Sequence, residues 1–170
     1  MASVPLVIKR ALAWLEDRRT LGFLLLALWA VYFIVIAAGN FTDLLWSFGW
    51  IDWAFRSGNL HWVTVTTSIY FHSEAIDQLL LAGAVFAELF AGVLLCRAAI
   101  QWAKRSPTAQ AASRAGLLVG AAVFFVYAIS VEATISYARG QNESDYWVII
   151  GSLLASLLVI ALLARDTESG

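Results

Sequence analysis

The sequence predicts an all-α membrane protein: a four-helix transmembrane bundle with both termini on the cytoplasmic side. Three observations predict it. The 170 residues are 61% hydrophobic and only 14% charged, with mean hydropathy +0.78. A water-soluble domain of this size carries about twice that charge. Four segments are each long and apolar enough to cross roughly 30 Å of hydrocarbon. Nine of the eleven Lys and Arg fall on the side that four spans would leave in the cytoplasm.

The spans read as residues 21–38, 79–100, 116–136 and 146–164, within one integral membrane domain covering 1–170. Runs this continuous are helices rather than barrel strands, since lipid tolerates only those two architectures. The second span contains Glu88. One carboxylate at a helix centre costs roughly 3 kcal/mol. Ten large apolar residues in the same span, among them Leu81, Phe86, Leu89 and Val93, offset it.

Lys9, Arg10, Arg18 and Arg19 precede the first span. Arg97, Lys104, Arg105 and Arg114 surround the connection between the second and third, and Arg165 follows the fourth. The other side holds Arg56 and Arg139 against Asp43, Asp52, Glu74, Asp77, Glu143 and Asp145. Multi-pass insertion in the inner (cytoplasmic) membrane follows. Val4 to Arg19 form an amphipathic pattern, with Lys9, Arg10, Glu16 and Asp17 on one face and Val4, Ile8, Ala11, Leu12 and Leu15 on the other. This predicts a helix lying on the inner leaflet, unlike the basic start and apolar core of a cleavable signal. Ser106-Pro107 is a helix-start signal and predicts a short polar helix leading into the third span. Gly140 is a helix stop in the short connection before the fourth.

The loop from 40 to 77 is the least generic part. It carries four of the eight tryptophans (Trp46, Trp50, Trp53, Trp62) and both histidines, His61 and His72. Thr42 to Phe55 is rich in large apolar residues but too short to span. It predicts an interfacial or re-entrant helix capped by Thr42 or Asp43. Gly58-Asn59 then turns the chain, and the β-branched stretch Val63 to Phe71 reads as extended. The segment reads either as a lid or docking surface for a lipid-like or quinone-like molecule or a partner subunit, or as a tryptophan belt that anchors the chain at the interface. Asn40-Phe41-Thr42 also matches the glycosylation sequon, a three-residue pattern of little weight.

Asn40-Phe41-Thr42-Asp43, followed by the aromatic segment ending in Phe48 to Asn59, resembles a bacterial family of small integral membrane proteins catalogued as domain of unknown function 2165. The resemblance runs from about Ala37 to Ala164. It implies four spans, an N-x-T-D element after the first, a glutamate within the second and another late in the third. Asn40, Thr42, Asp43, Glu88 and Glu132 occupy those places. Where the family often carries a His, this chain has Trp53. Before the last span it has Gln141-Asn142-Glu143 in place of a W-N-G-Q-like stretch. The resemblance implies an architecture and no activity.

Glu88 and Glu132 are the sharpest chemical features, because an ionisable group inside the membrane is a functional-site hypothesis by default. Glu88 shares a helix face with Ala84, Ala91 and Gly92, which turns it toward the bundle interior. Glu132 lies roughly 7 Å inside the outer surface by helix rise, with Ser136 one turn beyond. The two helices are consecutive and antiparallel, so both carboxyls are candidates for one cavity opening outward. Such a pair reads as a proton or cation relay or a ligand anchor, with Glu88, Glu132 and Ser136 as its residues. The alternative reading is neutral glutamates hydrogen-bonded to neighbouring helices.

No span contains a His, so a haem between helices is not expected, and the spacing of Asp52, Glu74 and Asp77 near the histidines diagnoses no metal. No cofactor is expected. There is no Ser-His-Asp order or glycine-rich phosphate loop, and no catalytic residue is assigned. Cys96 is the only cysteine, which excludes an intrachain disulfide. A net charge of −1 gives no footprint for nucleic acid. Gly116 and Gly120, with the small-residue repeats Gly83-Ala87-Ala91, Gly151-Ala155 and Ser152-Ser156, allow close helix approach within the bundle or with other chains. The expected surroundings are the lipid bilayer, and either other membrane subunits or further copies of the chain. The leading expectation is a non-enzymatic accessory or scaffolding subunit. Its rival is a small carrier or binder of a lipophilic or protonatable ligand, using Glu88 and Glu132 under an outer-loop lid formed with Asn40, Thr42, Asp43, Trp46, Trp50 and Trp53.

Overall fold

The computed structural model describes residues 17–51, 58–133 and 143–165. Residues 4–16 of the N-terminal amphipathic stretch, Trp53, Ser136 and Gly140 lie outside the described residues. Those described form five helices: α1 (Arg18–Ser47), α2 (Asn59–Thr67), α3 (Glu74–Ala103), α4 (Ala109–Ala133) and α5 (Glu143–Arg165). Four of them, all but α2, are long and apolar enough to cross a membrane. The protein is therefore a multi-pass helical bundle.

α1 packs mainly on α3, α3 on α4 and α4 on α5, while α1 and α5 touch lightly. The pairings run antiparallel: on α1 and α3, Gly22 meets Trp102 and Asn40 meets Glu88; on α3 and α4, Leu95 meets Gly116 and Glu88 meets Tyr127. Trp29 Nε1 donates to Ser156 Oγ at 2.9 Å and closes α1 on α5. The core is built from Leu26, Phe33, Leu95, Leu117 and Leu153, all essentially inaccessible. Phe33 lies at its centre, 5.6 Å from Phe124 between ring centroids and against Gly120. Gly116 and Gly120 thus serve contacts inside the bundle. Gly83 and Gly151 face open space.

The outward faces are apolar. Leu28, Val35, Phe86, Val93, Leu118, Val126, Val148 and Leu158 are each more than half exposed. In water such a surface would be costly, whereas in lipid it is the ordinary exterior.

Three local expectations are corrected. The stretch from Thr42 does not begin a separate helix. α1 continues without a break through Ser47, so Thr42 and Asp43 lie inside it and cap nothing at its start. No helix breaker intervenes, and the Thr42 hydroxyl bonds back to the Gly39 carbonyl at 2.8 Å. The stop comes at Gly49, whose φ of 69° is the left-handed conformation that glycine adopts freely. Its N–H bonds Trp46 O, and the Trp50 N–H bonds Leu45 O, the paired closure of a Schellman motif.

The β-branched stretch after Asn59 is helical rather than extended, giving α2 and then a turn at Ser68–Tyr70. Its threonines bond their own helix, Thr64 Oγ1 to Leu60 O at 3.1 Å, and tertiary contacts override the strand propensity. The short polar helix expected before the third span is not separate: it is the first turns of α4.

α3 ends in a second Schellman motif, with Arg105 N–H on Trp102 O and Ser106 N–H on Gln101 O. Here the left-handed position, φ 57°, is occupied by Arg105. A side chain pays about 1 kcal/mol in that conformation. Arg105→Gly is expected to raise stability against thermal unfolding in detergent by about that amount, and an unchanged or lowered midpoint would refute the strain.

Candidate functional site

Among the described residues, five of the eight buried polar side chains gather toward the end of the bundle where α2 lies. Asn40, Asp43, Asp77 and Glu88 are all at most 3% exposed, and Thr67 is 7% exposed. Unpaired, each would carry a desolvation penalty of about 1–3 kcal/mol or more. The structure pairs them.

Glu88 is the centre. It lies on the buried face of α3 with Val85, Ala91, Gly92 and Leu95, and nothing of it is exposed. Asn40 of α1 donates its amide Nδ2 to both carboxyl oxygens, at 2.9 and 2.8 Å. The Tyr127 hydroxyl of α4 donates to Oε1 at 2.8 Å. Three transmembrane helices therefore meet on one carboxyl group. Asn40 Oδ1 in turn accepts from Asn59 Nδ2, at the start of α2. The chain of bonds Asn59–Asn40–Glu88–Tyr127 fixes which end of the Asn40 amide is oxygen and which nitrogen.

The same arrangement fastens α2 at both ends. Gly58 precedes α2 in the left-handed conformation, φ 78°, and offers no side chain to cap it. Asp43, one turn beyond Asn40 on α1, takes that role: its Oδ2 accepts the Leu60 N–H at 3.3 Å. A carboxylate there also matches the positive end of the helix dipole. At the other end the Thr67 hydroxyl donates to Asp77 Oδ1 on α3. Beyond it, Tyr70 OH donates to Ala133 O at 2.7 Å, which satisfies a terminal carbonyl of α4. The spacing of Asn40 and Asp43 thus has a concrete use. At i and i+3 they share a face of α1, and that face receives the first turn of α2.

Tyr127 belongs to a ring of aromatic side chains around the site. Phe124 contacts Tyr127, Tyr146 and Tyr32, with centroid separations of 5.6, 6.2 and 6.1 Å. These rings close the interior beneath Glu88. By helix rise, Glu88 is about 12 Å from the exposed Leu80 at the α2 end of the apolar belt.

The structure does not bring Glu132 to this place. Glu132 is exposed on α4. It follows Tyr127 by five residues, which turns it about 140° around the helix from the side that meets Glu88. The expectation of two carboxyls in one cavity is corrected accordingly: Glu88 is sealed by its partners and Glu132 stands apart. Thr42 is half-buried and bonded within α1. Trp46 and Trp50 are exposed at the α2 end, the Trp50 ring tilted 40° against Phe48 at 5.4 Å.

Two adjoining clefts, of about 410 and 350 Å³, open beside α2 and share Leu60 and Glu74. Trp46 lines the first, and His72 and Asp77 line the second. Neither reaches Glu88. His61 and His72 are both exposed, and no cluster of metal-ligating side chains occurs among the described residues.

Sequence reasoning missed Asn59, Tyr127 and the pair Thr67–Asp77. One signal was available for Tyr127, since a phenol hydroxyl inside a membrane span needs a partner. Asn59 was concealed by its place in a Gly-Asn turn. Comparison with protein-family models, with curated proteins and with solved structures finds no match for this chain.

Proposed function

We propose that the protein is a non-enzymatic membrane protein serving as an accessory or scaffolding subunit of a larger membrane complex. The observation that carries this reading is the saturation of Glu88. Its oxygens are occupied by Asn40 and Tyr127, its surface is wholly buried, and neither cleft opens onto it. The costly intramembrane carboxyl is spent on holding α1, α3, α4 and α2 in one arrangement. A rigid bundle with an exposed apolar exterior and an aromatic end at Trp46 and Trp50 suits a structural subunit.

The rival, a carrier using Glu88 and Glu132 together, is disfavoured by the burial of the first and the outward position of the second. The orientation follows the charge. Arg18, Arg19, Lys104, Arg105 and Arg114 cluster at one end and Asp43, Glu74, Asp77 and Asp145 at the other. The basic end then lies in the cytoplasm, and both termini with it, in an inner membrane. Kinship with the family catalogued as domain of unknown function 2165 belongs to the same proposal. Its support is that three of the five residues carrying the likeness, Asn40, Asp43 and Glu88, act in one structural unit.

Purification from the native membrane in mild detergent tests the reading. A membrane protein recovered with the chain at fixed stoichiometry is the expected result, and a lone monomer overturns it. Glu88→Gln separates the rivals. A subunit keeps its assembly, whereas a carrier loses a pH-dependent transport or binding activity.

A further inference from the structure

Arg97 occupies an unusual place. It is exposed on α3, on the face that carries the exposed Phe90, Val93 and Ile100. These residues recur at the spacing of helix turns, so Arg97 stands within a lipid-facing stripe. α3 continues for six residues past it, about 9 Å of helix. On the antiparallel α1, Gly22 lies level with Trp102, so the exposed Leu21 is nearer the basic end than Arg97 is. The guanidinium is therefore rooted inside the apolar belt. It is always charged, and a lipid-facing charge at that depth is expensive unless it reaches an anion.

The protein supplies none among the described residues: no ion pair or hydrogen bond joins Arg97 to another side chain there. What the fold does supply is a second cation. Lys104 is exposed seven residues on, 700° around the helix and so on the same face, about 10 Å nearer the helix end. An apolar track runs from this pair along Ile100, Val93 and Phe90. Two cations beside an apolar helix face complement a molecule with an anionic head and hydrocarbon tails.

We propose that Arg97 and Lys104 together hold the phosphate of an anionic membrane phospholipid, whose acyl chains lie along Val93 and Phe90 on the outer face of α3. The guanidinium reaches the phosphate from the hydrocarbon side, and the ammonium reaches it from the aqueous side. Arginine suits the deeper position, since its planar fork bonds two phosphate oxygens at once.

Lipid titration of the full-length protein in detergent, read by native mass spectrometry, tests this. Phosphatidylglycerol and phosphatidylcholine of equal chain length are the probes. The wild type is expected to prefer phosphatidylglycerol about twenty-five-fold, about fivefold for each cation. Arg97→Gln with Lys104→Gln is expected to bring the two lipids to near-equal binding. Arg97→Lys, which keeps the charge, retains most of the preference. Arg114→Gln removes an exposed cation at the same end of α4 and leaves the preference intact. The proposal is overturned if the double variant still discriminates, if Arg97→Lys does not, or if Arg114→Gln loses as much. It is also overturned if inorganic phosphate at millimolar concentration displaces the bound lipid, since the site would then be one for a free anion.

Discussion

Asn40→Leu is expected to destabilise the protein in detergent by about 3 kcal/mol, the largest effect of any single substitution at the polar site. Leucine keeps asparagine's branching at Cγ, but its two methyl groups are bulkier than the amide, so overpacking at this buried position supplies part of the loss. The substitution removes the amide that serves both oxygens of Glu88. It also removes the acceptor of Asn59. Hydrogen bonds between helices in membranes average well under 1 kcal/mol each, so the lost bonds alone would give only a modest change. The larger part is the penalty for leaving a carboxyl group buried with one donor, Tyr127, in place of two.

If the penalty resides in the orphaned carboxyl, removing Glu88 as well should recover much of it. Asn40→Leu with Glu88→Leu is expected to be at least 1 kcal/mol more stable than the sum of the two single changes. Unfolding curves for the four proteins, followed by helical circular dichroism in a graded denaturing detergent, measure the coupling. Additive effects would show that Asn40 and Glu88 do not depend on each other.

Gly22→Ala is the second large expectation, at about 2–3 kcal/mol, and its cause is purely steric. The indole of Trp102 packs directly against α1 at Gly22. A methyl group there would overlap Nε1 and Cε2 of the indole and come within 2.8 Å of Cζ2. The atoms met belong to a rigid ring that is itself 9% exposed and wedged between helices, so it has little room to yield. Overpacking of this kind costs typically 1–3 kcal/mol.

The same close approach leaves Trp102 Nε1 buried with no hydrogen-bond partner among the described residues. Trp102→Leu should therefore be tolerated better than the loss of a tryptophan usually is, and it should rescue Gly22→Ala. Thermal unfolding of the two single variants and the double variant checks both statements. A Gly22→Ala protein as stable as the wild type would mean that α1 and α3 are not seated as closely as this.

Most of the architecture was legible in the chain because hydropathy over 20 residues is a local property. The four spans were found within a few residues at several ends, and the helix ends that were misjudged have local causes. α1 overran its expected limit at residue 38 because Asn40 and Asp43, polar enough to suggest an exit from the membrane, find partners inside the protein. α2 was misread as extended because its valines and threonines favour strands, yet capping by Asp43 and the Thr67–Asp77 bond hold a helix there.

The site was legible by halves. Glu88 was turned inward by the small residues on its face, and it is inward. Glu132 lies on a helix that can present it to either side, and its outward position was not inferable from spacing alone. Asn40 and Asp43 stood out as residues but not in their roles, because those roles belong to contacts with α2 and α3, remote in sequence.

The amino-acid order by itself determines that four segments are long and apolar enough to cross a bilayer, and that the cations crowd one end. Each follows from transferring a short segment from water to lipid, a free energy that depends on that segment's own residues. Which polar groups meet was decided only when the helices packed. Lipid surrounds every helix alike and imposes no preferred rotation, so the hydrophobic effect cannot aim Glu88 at Asn40. Close contacts at Gly22, Gly116 and Gly120 set the helix register, and that register brings three hydrogen bonds onto one carboxyl group.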